Sequence, residues 1–159
     1  MALWDGLKPN VRRELVKAID EILYDNALKL YFEMYTRKNY ITKADIDSAI
    51  KDFFGFKIPP YVYGTIYSPE TARRKFYEHI PRFKKFIGTV KVPWSKSPIP
   101  RYVAVYLAKI ASTMTNDSIY YAMLATNKKH ERELTTEDVL EGVRMFVKNG
   151  PVRELKIKW

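Results

Sequence analysis

Ile41-Thr42-Lys43-Ala44-Asp45-Ile46 and Leu134-Thr135-Thr136-Glu137-Asp138-Val139 are two versions of one phrase, and each closes a long run of helical periodicity. In both, a threonine stands where a helix N-cap belongs and an aspartate follows three residues later, the spacing at which side chains satisfy the free N–H groups of a helix start. Apolar residues bracket each cap, Ile41 with Ile46 and Leu134 with Val139, as in a hydrophobic staple. One such phrase predicts a helix start. Two, each preceded by a long helix and followed by a short amphipathic one, predict an internal duplication and a chain folded from two similar units.

The flanking segments match in length. Val11 to Arg37 carries Leu15, Ile19, Ile22, Leu23, Leu30 and Met34 at helical spacing with no Gly or Pro, which predicts a helix of 27 residues, about 40 Å long. Asn10 is its expected cap. Arg101 to Asn127 has the same length, with Val103, Leu107, Ile110, Met114, Tyr121 and Ala125 as its expected buried stripe. The short final helices also align, Asp45-Ile46, Ala49-Ile50-Lys51 and Phe53 against Asp138-Val139, Gly142-Val143-Arg144 and Phe146. The first is expected to end near Gly55 and the second to run through Val147 before Asn149-Gly150-Pro151.

Residues 55 to 100 lie outside the repeat. Gly55 to Tyr67 is aromatic, proline-broken and aperiodic, an ordered connector. Ser68-Pro69-Glu70 is a strong helix start, with Ser68 as cap and Pro69 in the first turn, for a helix reaching about Ile80. A second short basic helix is expected over Arg82 to Ile87, then an extended linker bearing Pro93, Pro98 and Pro100. Phe76, Phe83 and Phe86 occupy the positions at which short amphipathic helices dock on a core. The tail, Val152 to Trp159, reads as a short strand or an arm. The expected fold is therefore all-α: residues 1–54 as one long-helix/short-helix unit, 55–100 as connector and basic helical insert, and 101–159 as the second unit with its tail.

Charge points to the partner. The formal net charge is +10, and between Thr71 and Arg101 nine basic residues stand against Glu78 alone, a net +8. Charge concentrated in this way focuses a positive potential that favours a polyanion such as nucleic acid, with a solvated face on a heat-adapted protein as the alternative. The residues expected to bind are Arg73, Arg74, Lys75, Arg82, Lys84, Lys85, Lys91, Lys96 and Arg101. Backbone binding of this kind needs no cofactor. Prolines break the basic stretch, so an anionic membrane surface is not an expected partner.

Other classes find little support. The chain has no cysteine, which excludes disulfides and thiolate metal sites. His79 and His130 are its only histidines and lack metal-ligand spacing, and its six glycines are scattered rather than gathered in a phosphate loop. No catalytic residue, cofactor or metal is expected, and the chain is not expected to be an enzyme. It lacks both an apolar run of membrane-spanning length and the basic start of a signal peptide, so a soluble, cytoplasmic protein is expected. The absence of glutamine beside abundant Lys, Arg, Ile and Tyr leans towards a heat-adapted source.

A long central helix, a basic loop and a short helix opening with Ile-Thr-x-x-Asp-Ile resembles the second and third helices of the archaeal histones. Leu107-Ala108-Lys109-Ile110, Met114, Asp117, Ala122, Leu134, Glu137-Asp138-Val139, Val143-Arg144 and Phe146 carry the likeness in the second half. Ile41, Asp45-Ile46, Ala49-Ile50-Lys51 and Phe53 carry it in the first. The resemblance implies two units paired within one chain as a pseudo-dimer, double-stranded DNA held by its backbone, a nucleoid location, and DNA contacts from the loops at Arg37, Lys38, Lys128 and Lys129. It also implies a loop arginine paired to the aspartate of the last helix; at that spacing stand Lys38 before Asp45 and Glu131, with Arg132 one place off, before Asp138. In composition the chain also resembles the α-helical coat proteins that sheathe DNA in filamentous viruses of hyperthermophilic archaea. That likeness implies a virion subunit that associates with itself or a related subunit. No motif separates DNA from RNA.

Overall fold

The computed structural model describes residues 3–35, 42–60, 66–76, 78 and 100–152, with the backbone alone over 25–35. These residues form helices and no strand. A 3₁₀ turn, Leu3–Gly6, precedes α1 (Pro9–Tyr35); α2 (Lys43–Phe54), a helix described over 69–76 (α3) and α4 (Arg101–Thr126) follow, then a 3₁₀ turn (Glu131–Glu133) and α5 (Thr136–Asn149). The all-α expectation holds for the described residues. No described helix is long and apolar enough to cross a membrane.

Helix ends follow the local chemistry. Thr42 and Thr135 each accept from the backbone N–H of the aspartate three residues on, while Asp45 and Asp138 accept from the cap's own N–H, so both phrases are complete capping boxes. Leu134 and Val139 are buried, as a staple requires; Ile41 lies outside the described residues. Ser68 caps α3 through Thr71 N–H at 3.1 Å. α1 corrects one expectation: Asn10 is not its cap. The helix already includes Pro9, and the Lys8 carbonyl takes the first bond, from Arg12 N–H at 3.0 Å. Proline suits that position because it has no N–H to leave unpaired and its φ is already helical. Gly55 ends α2 at φ 82°, a left-handed conformation that a side chain disfavours.

The described residues group into two compact units. One draws on Met1–Ile19, Ile58–Ile66 and Lys109–Trp159, the other on Asp20–Lys57 and Tyr67–Ala108. Each thus combines the first part of one long helix with the last part of the other and the short capped helix that follows the latter.

In the first unit the core is Leu7, Val11, Leu15 and Ile19 with Ile110, Met114, Ile119, Tyr121, Leu134, Val139, Val143 and Phe146. The i, i+4 run of Val11, Leu15 and Ile19 is a helix presenting one apolar stripe. Within this unit α4 is buried on most sides between Ile110 and Ala122, and hydroxyls buried there bond within the helix: Thr115 donates to Ala111 O at 2.7 Å and Ser118 to Met114 O at 2.7 Å. Ser112 accepts from Ile66 N–H at 2.9 Å. The stripe ends sooner than expected, because Leu124 and Ala125 are both exposed. The end of α5 is tied back to α4: the Tyr121 hydroxyl donates to Gly150 O at 2.8 Å, and Val152 N–H to Asp117 at 3.2 Å.

In the second unit Leu23, Tyr24, Ile46, Ala49, Ile50, Ala72, Phe76, Val103 and Leu107 are buried. The Tyr106 hydroxyl donates to Asp47, and Lys43 lies over the Tyr106 ring at 5.6 Å from its centre, which joins the start of α4 to α2. Burial, reinforced by the Asp47 carboxylate, pushes the Tyr106 phenol well above its ordinary pKa. Phe76 is buried, as a docked helix requires; Phe83, Phe86, the expected Arg82–Ile87 helix, the linker and the tail beyond Val152 lie outside the described residues.

Candidate nucleic-acid interface

Three arginines of the basic segment meet in the second unit. Ser68 and Pro69 fix where α3 begins, so Arg73 and Arg74 fall one turn later; α4 begins at Arg101, after the Pro100 carbonyl accepts from Val103 and Ala104 N–H. Pro69, Glu70, Arg73, Arg74, Arg101 and Ala104 line a cleft of about 240 Å³. Two helix N-termini contribute to it, each with the partial positive charge of a helix start.

Glu70 is the one acid among these lining residues. It accepts from the Arg101 guanidinium at 2.6 Å, and that bond, foremost, holds its carboxyl below the usual range. Both side chains are largely exposed, so the pair stays open to exchange. Arg74 pairs loosely with Glu78 at 3.6 Å, one turn on. Arg73 Nε is shut off from water and meets no acceptor among the described residues. A buried donor left unpaired costs about 1–3 kcal/mol.

Lys75 is placed differently. Its ammonium lies 2.5 Å from the Asp20 carboxylate, nearly enclosed, and 5.2 Å from the centre of the Tyr67 ring. Tyr67 shares a 2.9 Å hydrogen bond with Tyr24 and donates to Asp20 at 3.4 Å. Burial foremost pushes both phenols well above their ordinary pKa, with the Asp20 charge adding to it. The Lys75 charge is therefore engaged in holding α3 to α1.

Lys128 and Lys129 lie in the loop before α5. Lys128 donates to Asp138 at 2.7 Å and to Glu133 O at 3.0 Å, whereas Lys129 is exposed. The resemblance implies a loop arginine on Asp138, but Glu131 stands at its spacing and Arg132 one place off. Lys128, ten residues before it, makes the pair instead, because the Glu131–Glu133 turn brings that end of the loop back over the helix start. Burial by itself would raise the Asp138 carboxyl, but bonds from Lys128 and from the Thr135 backbone and hydroxyl outweigh it and hold the group below its usual range.

Arg37, Lys38, Arg82, Lys84, Lys85, Lys91 and Lys96 lie outside the described residues. Of the rest, Arg73, Arg74 and Arg101 line one cleft, Lys75 and Lys128 are paired with acids, and Lys129 is exposed in the first unit. Sequence reasoning missed Glu70, which reads as an ordinary acid in a helix's first turn; nothing in its spacing reveals a partner 31 residues away. Among the described residues no three His, Asp or Glu side chains gather as a metal site would need. Comparison with protein-family models, with curated proteins and with solved structures finds no match to this chain.

Proposed function

We propose that this chain binds double-stranded DNA through its phosphate backbone, without sequence preference, and compacts it, as two histone-like units paired within one chain. The observation that carries the reading is the cleft in which Arg73, Arg74 and Arg101 converge at the starts of two helices. Guanidinium groups match phosphate oxygens in fork geometry and need no base edge. The net +8 of residues 71–101 supplies the long-range attraction. Two complete capping boxes, and units that each exchange helix parts, support the paired arrangement that the resemblance implies.

Filter binding with duplexes of unrelated sequence tests the reading. Affinities should agree within a few-fold across sequences, and log K should fall linearly with log salt by about 0.9 for each phosphate neutralised. Strong preference for one sequence, or affinity insensitive to salt, contradicts it. Solution mass with and without duplex decides the assembly: a pseudo-dimer stays a single chain until DNA is added, whereas a viral coat subunit assembles with copies of itself or requires a related subunit.

A further inference from the structure

We infer that the Arg73–Arg74–Arg101 cleft is a single-phosphate site in which Glu70 is a built-in competitor, exchanging its carboxylate on Arg101 for the incoming phosphate. This deepens the DNA-binding reading and, for its ligand source, rests on it. The cleft holds three guanidiniums and one carboxylate, net +2, within about 240 Å³. In the free protein the Glu70 carboxylate already takes the place of an anion, 2.6 Å from Arg101. Arg73 makes no such bond, and its buried Nε faces no acceptor among the described residues. Rotation of the Arg73 side chain would bring its Nε–Nη edge into the cleft and offer two parallel donors to two oxygens of one phosphate, a geometry that a lysine ammonium cannot supply. The partial positive charges at the starts of α3 and α4 add to the same field. The Glu70–Arg101 pair is exposed on both sides, so a phosphate that also satisfies Arg73 can displace the carboxylate without uncovering a buried charge.

The same chemistry serves a phosphodiester of duplex DNA or a free phosphate compound, and the experiment separates them. The full chain and its Glu70→Gln, Arg73→Gln and Arg13→Gln variants are titrated with a short duplex of mixed sequence between about 50 and 200 mM salt, and with pyrophosphate by calorimetry. Arg13, exposed on α1 in the other unit, is the control for charge alone. Glu70→Gln should tighten duplex binding several-fold, and Arg73→Gln should weaken it tenfold or more while flattening the salt slope by about 0.9. Arg13→Gln should do neither. Equal behaviour of all three variants overturns the cleft while leaving duplex binding standing. A chain that ignores duplex but binds pyrophosphate in a Glu70- and Arg73-dependent way keeps the site and removes its DNA ligand. A chain that responds to neither loses both. Glu70→Gln removes no cation, so its gain of affinity tests the exchange even if Arg73→Gln folds poorly.

Discussion

Gly142 in α5 lies directly against the Ser118 carbonyl of α4: a methyl group at Gly142 would stand 2.0 Å from that oxygen and 3.1 Å from the Ala122 methyl. The matching position of the first copy is Ala49, which is buried, so only the second copy draws its short helix in this closely. Gly142→Ala should destabilise the chain by about 1–3 kcal/mol through forced separation of the helices. Gly55→Ala provides the comparison, because it meets nothing within 4 Å and bears only the left-handed φ of 82°, a cost of about 1 kcal/mol. Guanidinium melts of the two variants check the order. If Gly142→Ala proves as stable as the parent, the close approach is not a constraint.

Lys128 and Asp138 make stability depend on acid. The Asp138 carboxyl is held below its usual range in the folded chain, so its contribution is fully present above the ordinary carboxylate pKa and is lost as pH falls through the lowered value. Thermal melts taken from neutral into acid should show a steeper fall for the parent than for Asp138→Asn. Lys128→Met should lie between them, since the Thr135 bonds to Asp138 remain. Identical acid limbs for all three proteins would remove the pair from any role in stability.

Tyr67 sets the opposite limb. Burial, and the nearby Tyr24 and Asp20, raise its phenol above the ordinary value. Stability from the neutral phenol is complete below the usual tyrosine pKa and is lost as pH climbs above it. Tyr67→Phe should therefore cost about 1–3 kcal/mol at neutral pH, by removing one hydrogen bond from each of Tyr24 and Asp20. It should also flatten the decline in melting temperature at alkaline pH. An alkaline limb as steep as the parent's would contradict this.

The parts of the fold set by neighbours in sequence are legible in the sequence itself. Thr42 with Asp45, Thr135 with Asp138, and Ser68 with Pro69 mark helix starts because a cap acts within one turn, and each starts a helix where it was read. Asn10 misled because proline's missing N–H at position 9 outweighs a side-chain cap one place later. The site was legible only as charge. Arg73, Arg74, Lys75 and Lys128 look alike in a string of cations, and what separates them is distant in sequence or set by loop shape. Asp20, 55 residues before Lys75, takes that lysine into the packing of α3 on α1. Arg101 reaches back 31 residues to Glu70, and the 3₁₀ turn after Lys128 decides which loop residue meets Asp138.

Lys75 and Arg74, adjacent in sequence, should consequently fail in different ways. Lys75→Met takes the ammonium away from the nearly enclosed Asp20 carboxylate and should cost about 3 kcal/mol, the penalty for removing one partner of a buried pair. Once allowance is made for the unfolded fraction, it should leave the salt slope of duplex binding unchanged, since the Lys75 charge was never available to phosphate. Arg74→Gln should do the reverse, because its exposed 3.6 Å contact with Glu78 adds little to stability while its guanidinium lines the cleft. Urea melts and duplex titrations at two salt concentrations, run on both variants, separate the roles. A flattened slope in Lys75→Met with stability intact would mean that Lys75 contacts DNA and that its bond to Asp20 opens when DNA arrives.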